Sequence, residues 1–373
     1  MERAAAVSEE IELSYSDVEE SLRDTVQALL RKRCSPEILG RIFDGDRTGT
    51  TELWRTLAVD LGLAGLLVPE QFGGAGATAR EAAVTLEELG RFVAPVPFLT
   101  SAVVGTTVLR LADATDLLGS AACGDVTVCL AVPVSTGPGG LVETVTAAGN
   151  VLHGIVRNVA GALEADLLLI PVAGQDGLEL YALHADSARV TPVVSLDMTR
   201  QLADIDVTGV TARLLISGGA AEAAVHRALV AAAGLMASEQ LGLARQCLQI
   251  TVDYLGVRRQ FGRIVGSFQA LKHRLSDLYI EVESACAAAR YAAATLADDH
   301  ADQETAAAVA KAYCSDVAVH AAEECVQLHG GIGMTWEHPA HLYLKRAKAD
   351  QIAFGAPGAH RALLAVLVDL PVR

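Results

Sequence analysis

Aromatic side chains are scarce in this chain: Phe, Tyr and Trp make up 4% of 373 residues, although 51% are hydrophobic. The excess is Ala, Leu and Val, which suits closely spaced helices better than an aromatic-rich sandwich. Basic residues are also short, 29 Lys and Arg against 45 Asp and Glu, for a formal charge of -16. A surface of that sign repels phosphate backbones and anionic lipid, so neither nucleic acid nor a membrane is expected as a partner. An anionic substrate would need a local cluster of Arg or Lys. The seven cysteines show neither CxxC nor Cys/His ligand spacing, which argues against a metal site and a disulfide framework and leaves buried free thiols. No run approaches the about 20 apolar residues of a membrane span. The opening MERAAAVSEEIELSYSD carries acids where a signal peptide needs an apolar stretch, so a cytoplasmic protein is expected.

What is present divides the chain by texture. Its length favours two or three subdomains. After a frayed tail, Tyr15 to Cys34 and Thr50 to Leu63 repeat apolar residues at helical spacing. A third helix starts near Thr78, with Ala82, Leu86, Leu89 and Val93 inward and Arg80, Glu87, Glu88 and Arg91 toward water. From Gly124, short β-rich runs alternate with Gly, Pro, Asn and Asp, which reads as an antiparallel sheet or small barrel ending near Leu215 to Gly219. Long Ala-rich helices follow, at Ala220 to Leu255, Phe268 to Asp298 and Gln303 to Leu328, then His338 to Ala349 and a last one from Gly358. Such helices with short joints make an antiparallel bundle. The expected domains are 1–119, helical; 120–216, β; and 217–373, a helical bundle.

Three motifs stand in this frame: Leu67-Val68-Pro69-Glu70-Gln71-Phe72-Gly73-Gly74; Arg258-Arg259-Gln260-Phe261-Gly262 followed by Phe268-Gln269; and Gln327-Leu328-His329-Gly330-Gly331-Ile332-Gly333. In this order and spacing they resemble the acyl-CoA dehydrogenase family along essentially the whole chain. The resemblance implies a mostly α fold: an N-terminal helical domain, a small β-barrel or sheet domain and a C-terminal four-helix bundle. A rival, the G-x-G-x-x-A pattern of Gly74 to Ala79, lacks a βαβ unit around it and is set aside.

The resemblance also implies FAD at a subunit interface, its ring on one subunit and its pyrophosphate and adenosine held by a neighbour. Arg258 matches the pyrophosphate position, where a guanidinium offers a planar fork of donors. Gln260, Phe261, Phe268 and Gln269 fall at adjoining contacts. Gln327, Leu328 and His329 lead into Gly330, Gly331 and Gly333, where bare backbone reaches the cofactor. Read without the family, Arg258-Arg259 would be a solvated helix cap.

Desaturation of an acyl-CoA needs a carboxylate base near the acyl α-carbon. In the family's commonest location, just before a Gly in the last loop, this chain has Phe354; in the minority location, on the first bundle helix, it has Ala232. The nearest acid is Glu239, and seven residues at ~1.5 Å rise put it roughly 10 Å further along the helix. Asp350, one turn before Phe354, is the other fallback. A relative's CoA-contacting arginine is Ala233 here. The flavin-ring run reads Ile155-Val156-Arg157-Asn158, and the Thr-Glu-Pro-x-x-Gly-Ser run reads Ala131-Val132-Pro133-Val134-Ser135-Thr136-Gly137. The residues a subunit lends to its neighbour's flavin remain, and those for its own are gone. This resembles the base-lacking subunit of actinobacterial α2β2 acyl-CoA dehydrogenases of steroid side-chain degradation. A base-bearing related subunit is the implied partner, acyl-CoA the substrate held mainly there, and an electron-transfer flavoprotein the acceptor usual for relatives. Two other readings stay open: a homo-oligomeric dehydrogenase with a relocated base, Glu239 or Asp350, and a flavin-free scaffold that inherited the fold.

Overall fold

The computed structural model describes residues 11–43, 45–140 and 144–370. The expected tail before residue 11, and Leu141 to Glu143 of one expected strand, lie outside them. The first helix, α1 (Asp17–Arg33), begins where Ser16 and Glu19 cap each other reciprocally, with acids in its first turn and Arg31 to Arg33 in its last. Two short helices follow, α2 (Pro36–Phe43) and α3 (Thr48–Arg55). The pattern from Thr50 to Leu63 suggested one helix, but it loosens into a π turn at Thr56–Asp60 and stops at Gly62, whose φ is 70°.

Thr78 and Glu81 form the same reciprocal cap on α4 (Ala79–Arg91). The expectation that Glu87 and Glu88 face water is wrong: both are 1% exposed. Glu87 accepts from Tyr15 Oη at 2.6 Å, Arg23 at 2.9 Å and Arg245 at 3.0 Å, and Glu88 accepts from Arg23 at 3.1 Å and Gln27 at 3.2 Å. The reason is tertiary, because α1 lies across that face and brings the compensating charges with it. The glycine-rich stretch before α4 is preceded by a 3-10 turn at Glu70–Phe72 and by no strand, which disposes of the dinucleotide pattern. Two further helices, α5 (Thr106–Leu111) and α6 (Thr115–Ala122), complete this part.

The central part is two facing sheets and not a closed barrel. One has the order β1 (Val128–Leu130), β4 (Leu167–Gly174), β5 (Gly177–His184), β9 (Arg213–Ser217). The other runs β2 (Val145–Ala148), β3 (Val151–Ala160), β7 (Leu202–Asp206), β6 (Arg189–Val193), with β8 (Val210–Thr211) on β3. The β1–β4 pair is parallel, so the first sheet is mixed where an antiparallel one was expected. That sheet is a middle layer. Leu167 and Leu169 of β4 join the helical core, whereas Leu168 and Ile170 pack with Leu152, Val156 and Ile205 between the sheets. Burial on both faces explains the unbroken apolar run of β4.

The C-terminal part has three long helices, α7 (Gly219–Val257), α8 (Gln269–Ala297) and α9 (Gln303–His329), joined by α10 (Ala340–Ile352) as a fourth and by α11 (Pro357–Leu367) packed on α9. Between α7 and α8 lies a hairpin, β10 (Arg259–Gln260) with β11 (Arg263–Ile264). Contrary to the expectation that no segment is apolar enough, α7 could cross a membrane by length and composition. However, 67% of its apolar window is buried inside the protein, as befits a core helix. It crosses α4 at a reciprocal glycine contact. A Cβ on Gly90 would lie 2.0 Å from Glu239 O, and one on Gly242 1.8 Å from Glu87 O. Only glycine lets the two backbones approach that closely.

Candidate functional site

The segment Arg258 to Gln269 begins where α7 stops. Arg258 turns to extended backbone, its N–H donating to Tyr254 O at 2.9 Å and its carbonyl accepting from Val265 at 2.8 Å. Phe261 and Gly262, with φ of 51° and 77°, make the tight turn that closes the hairpin. Phe261 is left 90% exposed, edge-on to Phe268 at 6.3 Å, and Arg263 lies over the Phe268 ring at 3.7 Å. Phe268 caps α8, and Gln260 and Gln269 are exposed. The Arg258, Arg259 and Arg263 guanidiniums form no ion pair among the described residues. Three uncompensated cations on one hairpin form the local basic cluster that a chain of net charge -16 needs to meet an anion.

The loop after α9 adjoins this hairpin. His329 is buried, with Nδ1 2.7 Å from Cys325 O, and its ring stacks on Tyr254 at 4.5 Å and lies 4.1 Å from His338. The Tyr254 stack ties the loop to the end of α7, one turn from Arg258. Gln327 is exposed and Leu328 half-buried. An added Cβ on Gly330 (φ 64°) or Gly331 would meet nothing within 4 Å, so bare backbone faces open space there. Gly333 differs: its Cβ would lie 2.5 Å from Val326 O, which makes it a packing glycine and not a surface one.

At the expected base positions there is no carboxylate. Ala232 and Ala233 are fully buried in α7. Phe354 is buried at φ 52°, its N–H donating to Val134 O at 2.7 Å and its carbonyl lying 2.9 Å from His360 Nε2. Val134 N–H in turn donates to Asn158 O at 2.9 Å, and a Cβ on Gly137 would sit 3.2 Å from Gly355 Cα. The three altered runs therefore close on one another, with Val134 at the centre.

The fallback acids lie in a buried ionic network that the sequence reading missed as a unit. Arg346 is 2% exposed and donates to Asp197 at 2.6 Å, Glu239 at 2.5 Å and Thr199 at 2.7 Å; Arg200 also reaches Glu239 at 2.5 Å. These two guanidiniums outweigh burial and hold the Glu239 carboxyl below its ordinary range, opposite to the upward tuning of a general base. Asp350 is fully buried, with Arg200 at 3.6 Å and neither carboxylate oxygen hydrogen-bonded among the described residues. Burial and the nearby Glu239 push it up to about 7. Burial likewise brings Lys311 down to about 8; its ammonium donates to Asp350 O and Ser315 Oγ, both at 2.9 Å. The available signal was a charge set inside an apolar run, Glu239 in LMASEQLGLA and Lys311 in AAAVAKAYC.

Family models for the acyl-CoA dehydrogenase N-terminal domain and C-terminal domain match residues 16–115 and 219–367. Acyl-CoA dehydrogenase IpdE2 of Mycolicibacterium smegmatis is 37% identical over 342 residues, 92% of this chain and 96% of the relative. The chain belongs to the acyl-CoA dehydrogenase family. Among solved structures, the Tcur3481-Tcur3483 steroid ACAD is 30% identical with a TM-score of 0.83, over 95% of this chain and 98% of that one. The ChsE4-ChsE5 complex from Mycobacterium tuberculosis is 26% identical with a TM-score of 0.85, over 97% and 100%.

Acyl-CoA dehydrogenases are FAD-dependent flavoproteins. Measured against that cofactor, the two halves of the site differ. The unpaired hairpin arginines and the open Gly330-Gly331 backbone suit a pyrophosphate in charge and shape. The inner half has no carboxylate at positions 232 and 354, and both backbone polar groups of Val134 are already bonded.

Proposed function

We propose that this chain is the non-catalytic subunit of a heteromeric acyl-CoA dehydrogenase, acting with a base-bearing relative on a steroid side-chain CoA ester in the cytoplasm. The observation that carries this reading is the pairing of Phe354, buried and bonded to Val134, with an exposed, uncompensated Arg258. Arg258, Gln260, Phe261, Phe268 and Gln269, with Gln327 to Gly331, would hold the phosphate and adenosine end of a flavin shared with the partner. Bound there, FAD would supply the acceptor for a hydride from the acyl β-carbon, and the partner's carboxylate would take the α-proton. An electron-transfer flavoprotein is the proposed acceptor. The similarity to a steroid ACAD and to the ChsE4-ChsE5 complex supports both the substrate class and the two-chain assembly.

The test is purification with and without a base-bearing relative. The lone chain should be colourless and inactive, and the co-expressed pair yellow and active. Stoichiometric FAD and acyl-CoA oxidation by the lone chain would sink the reading. A second reading, a relocated base, rests on Asp350, whose carboxyl is held near neutrality. Asp350→Asn separates the two: unchanged turnover in the complex removes Asp350, and loss of turnover with flavin retained favours it.

A further inference from the structure

A cavity of about 320 Å³ opens between the Leu67 to Ala79 segment, α5, α7 and the facing ends of α8 and α9. None of the hairpin or Gly330 loop residues lines it, nor do Ala232 and Ala233. Half of its wall is apolar. Leu67, Ala77, Ala231, Leu296 and Ala297 border it, each left half-buried at the edge of the main core. Its volume lies at the lower end of the range of about 300–1,000 Å³ typical of small-molecule pockets.

Two arginines reach into this cavity, Arg110 from α5 and Arg227 from α7. Arg227 pairs with Oδ1 of the exposed Asp299, which also accepts from Gln303 Nε2 at 3.0 Å. Arg110 has no ion pair or side-chain hydrogen bond among the described residues. Partial burial and the neighbouring Arg227 push its pKa down, and Asp299 acts against them from beyond ion-pair distance. Arg110 and Arg227 against Asp299 leave one net positive charge beside a half-apolar wall, within a protein of formal charge -16. A few placed polar groups over an apolar lining is the usual make-up of a ligand pocket, and a free guanidinium fork matches a carboxylate.

We infer that this cavity binds a small carboxylate with an apolar body, its carboxylate on Arg110 and its body against Leu67, Ala231 and Leu296. Arg227 adds to the attraction while Asp299 holds it in place. The site is independent of the proposed partner subunit, because every residue invoked belongs to this chain.

Sodium decanoate, titrated calorimetrically into the full chain at low salt, is the test. One saturable site is expected, weakened about 10-fold or more by Arg110→Ala and less by Arg110→Lys, which keeps the charge but not the fork. Ala231→Phe, which fills the cavity, should abolish it. 1-Decanol, with the same tail and no charge, should bind at least about 10-fold more weakly than decanoate. Arg110 is exposed, so its variants should unfold at the parent temperature and report on binding alone. Absence of saturable decanoate binding overturns the inference, as does parent-like binding by the Arg110→Ala protein.

Discussion

Arg346 shows how far a single residue's role depends on its surroundings. Its guanidinium joins Asp197 of the β-rich part to Glu239 of α7, with all three nearly inaccessible. Truncating one member leaves buried charge unpaired, so Arg346→Ala should destabilise by about 3–5 kcal/mol, read by urea unfolding. Arg258→Ala is the opposite case. Its side chain is exposed and has no hydrogen bond or ion pair among the described residues, so the unfolding midpoint should hold while the flavin content of the two-chain complex falls. Unchanged flavin would take Arg258 out of the site. Asp350, faced by Arg200, Arg346, Glu239, Asp197 and Lys311, predicts a pH dependence. Its folded value, about 7, lies above its ordinary 3.8. An acid raised on folding favours the folded state below 3.8 and loses that contribution as pH rises to about 7. Lys311 acts in a separate window, its penalty easing from about 8 toward 10.5. Asp350→Asn should therefore gain stability relative to the parent between pH 5 and pH 8. An equal difference at both values would rule Asp350 out.

At the scale of elements, the crossing of α4 and α7 is the most constrained joint. Gly90 and Gly242 each leave room for the other helix's backbone, and a methyl at Gly242 would fall 1.8 Å from Glu87 O. Backbone cannot yield as a flexible side chain does. Gly242→Ala should force the helices apart and cost about 3 kcal/mol or more by thermal unfolding, toward the severe end of overpacking. The same displacement would disturb Glu87 and Glu239, so both buried charge networks should weaken with it. Helix positions were legible because Ala-rich periodicity and reciprocal caps such as Thr78 with Glu81 are local signals. The strand Leu202–Asp206 and the helix Pro36–Phe43 were not, because each is too short to show a period and is held by neighbours distant in sequence.

At the scale of the molecule, the proposed division of the flavin site between two chains makes activity depend on assembly. Mixing separately purified subunits with FAD should restore absorbance near that of the co-expressed complex, and gel filtration should show one species containing both chains. Two species with no gain in flavin would count against a shared site. The sequence alone determined the helix, sheet and helix order, the absence of a carboxylate at Phe354 and Ala232, and the presence of the Arg258 motif, because these are properties of local pattern and residue chemistry. Tertiary structure decided the rest. Which acids are buried depends on a helix laid across them, as α1 is across Glu87 and Glu88. Whether the β strands close into a barrel depends on pairing between distant segments, and here they form two sheets with a parallel β1–β4 pair. Periodicity carries no record of contacts between residues far apart in the chain, and those contacts paired Glu239 with Arg200 and Arg346.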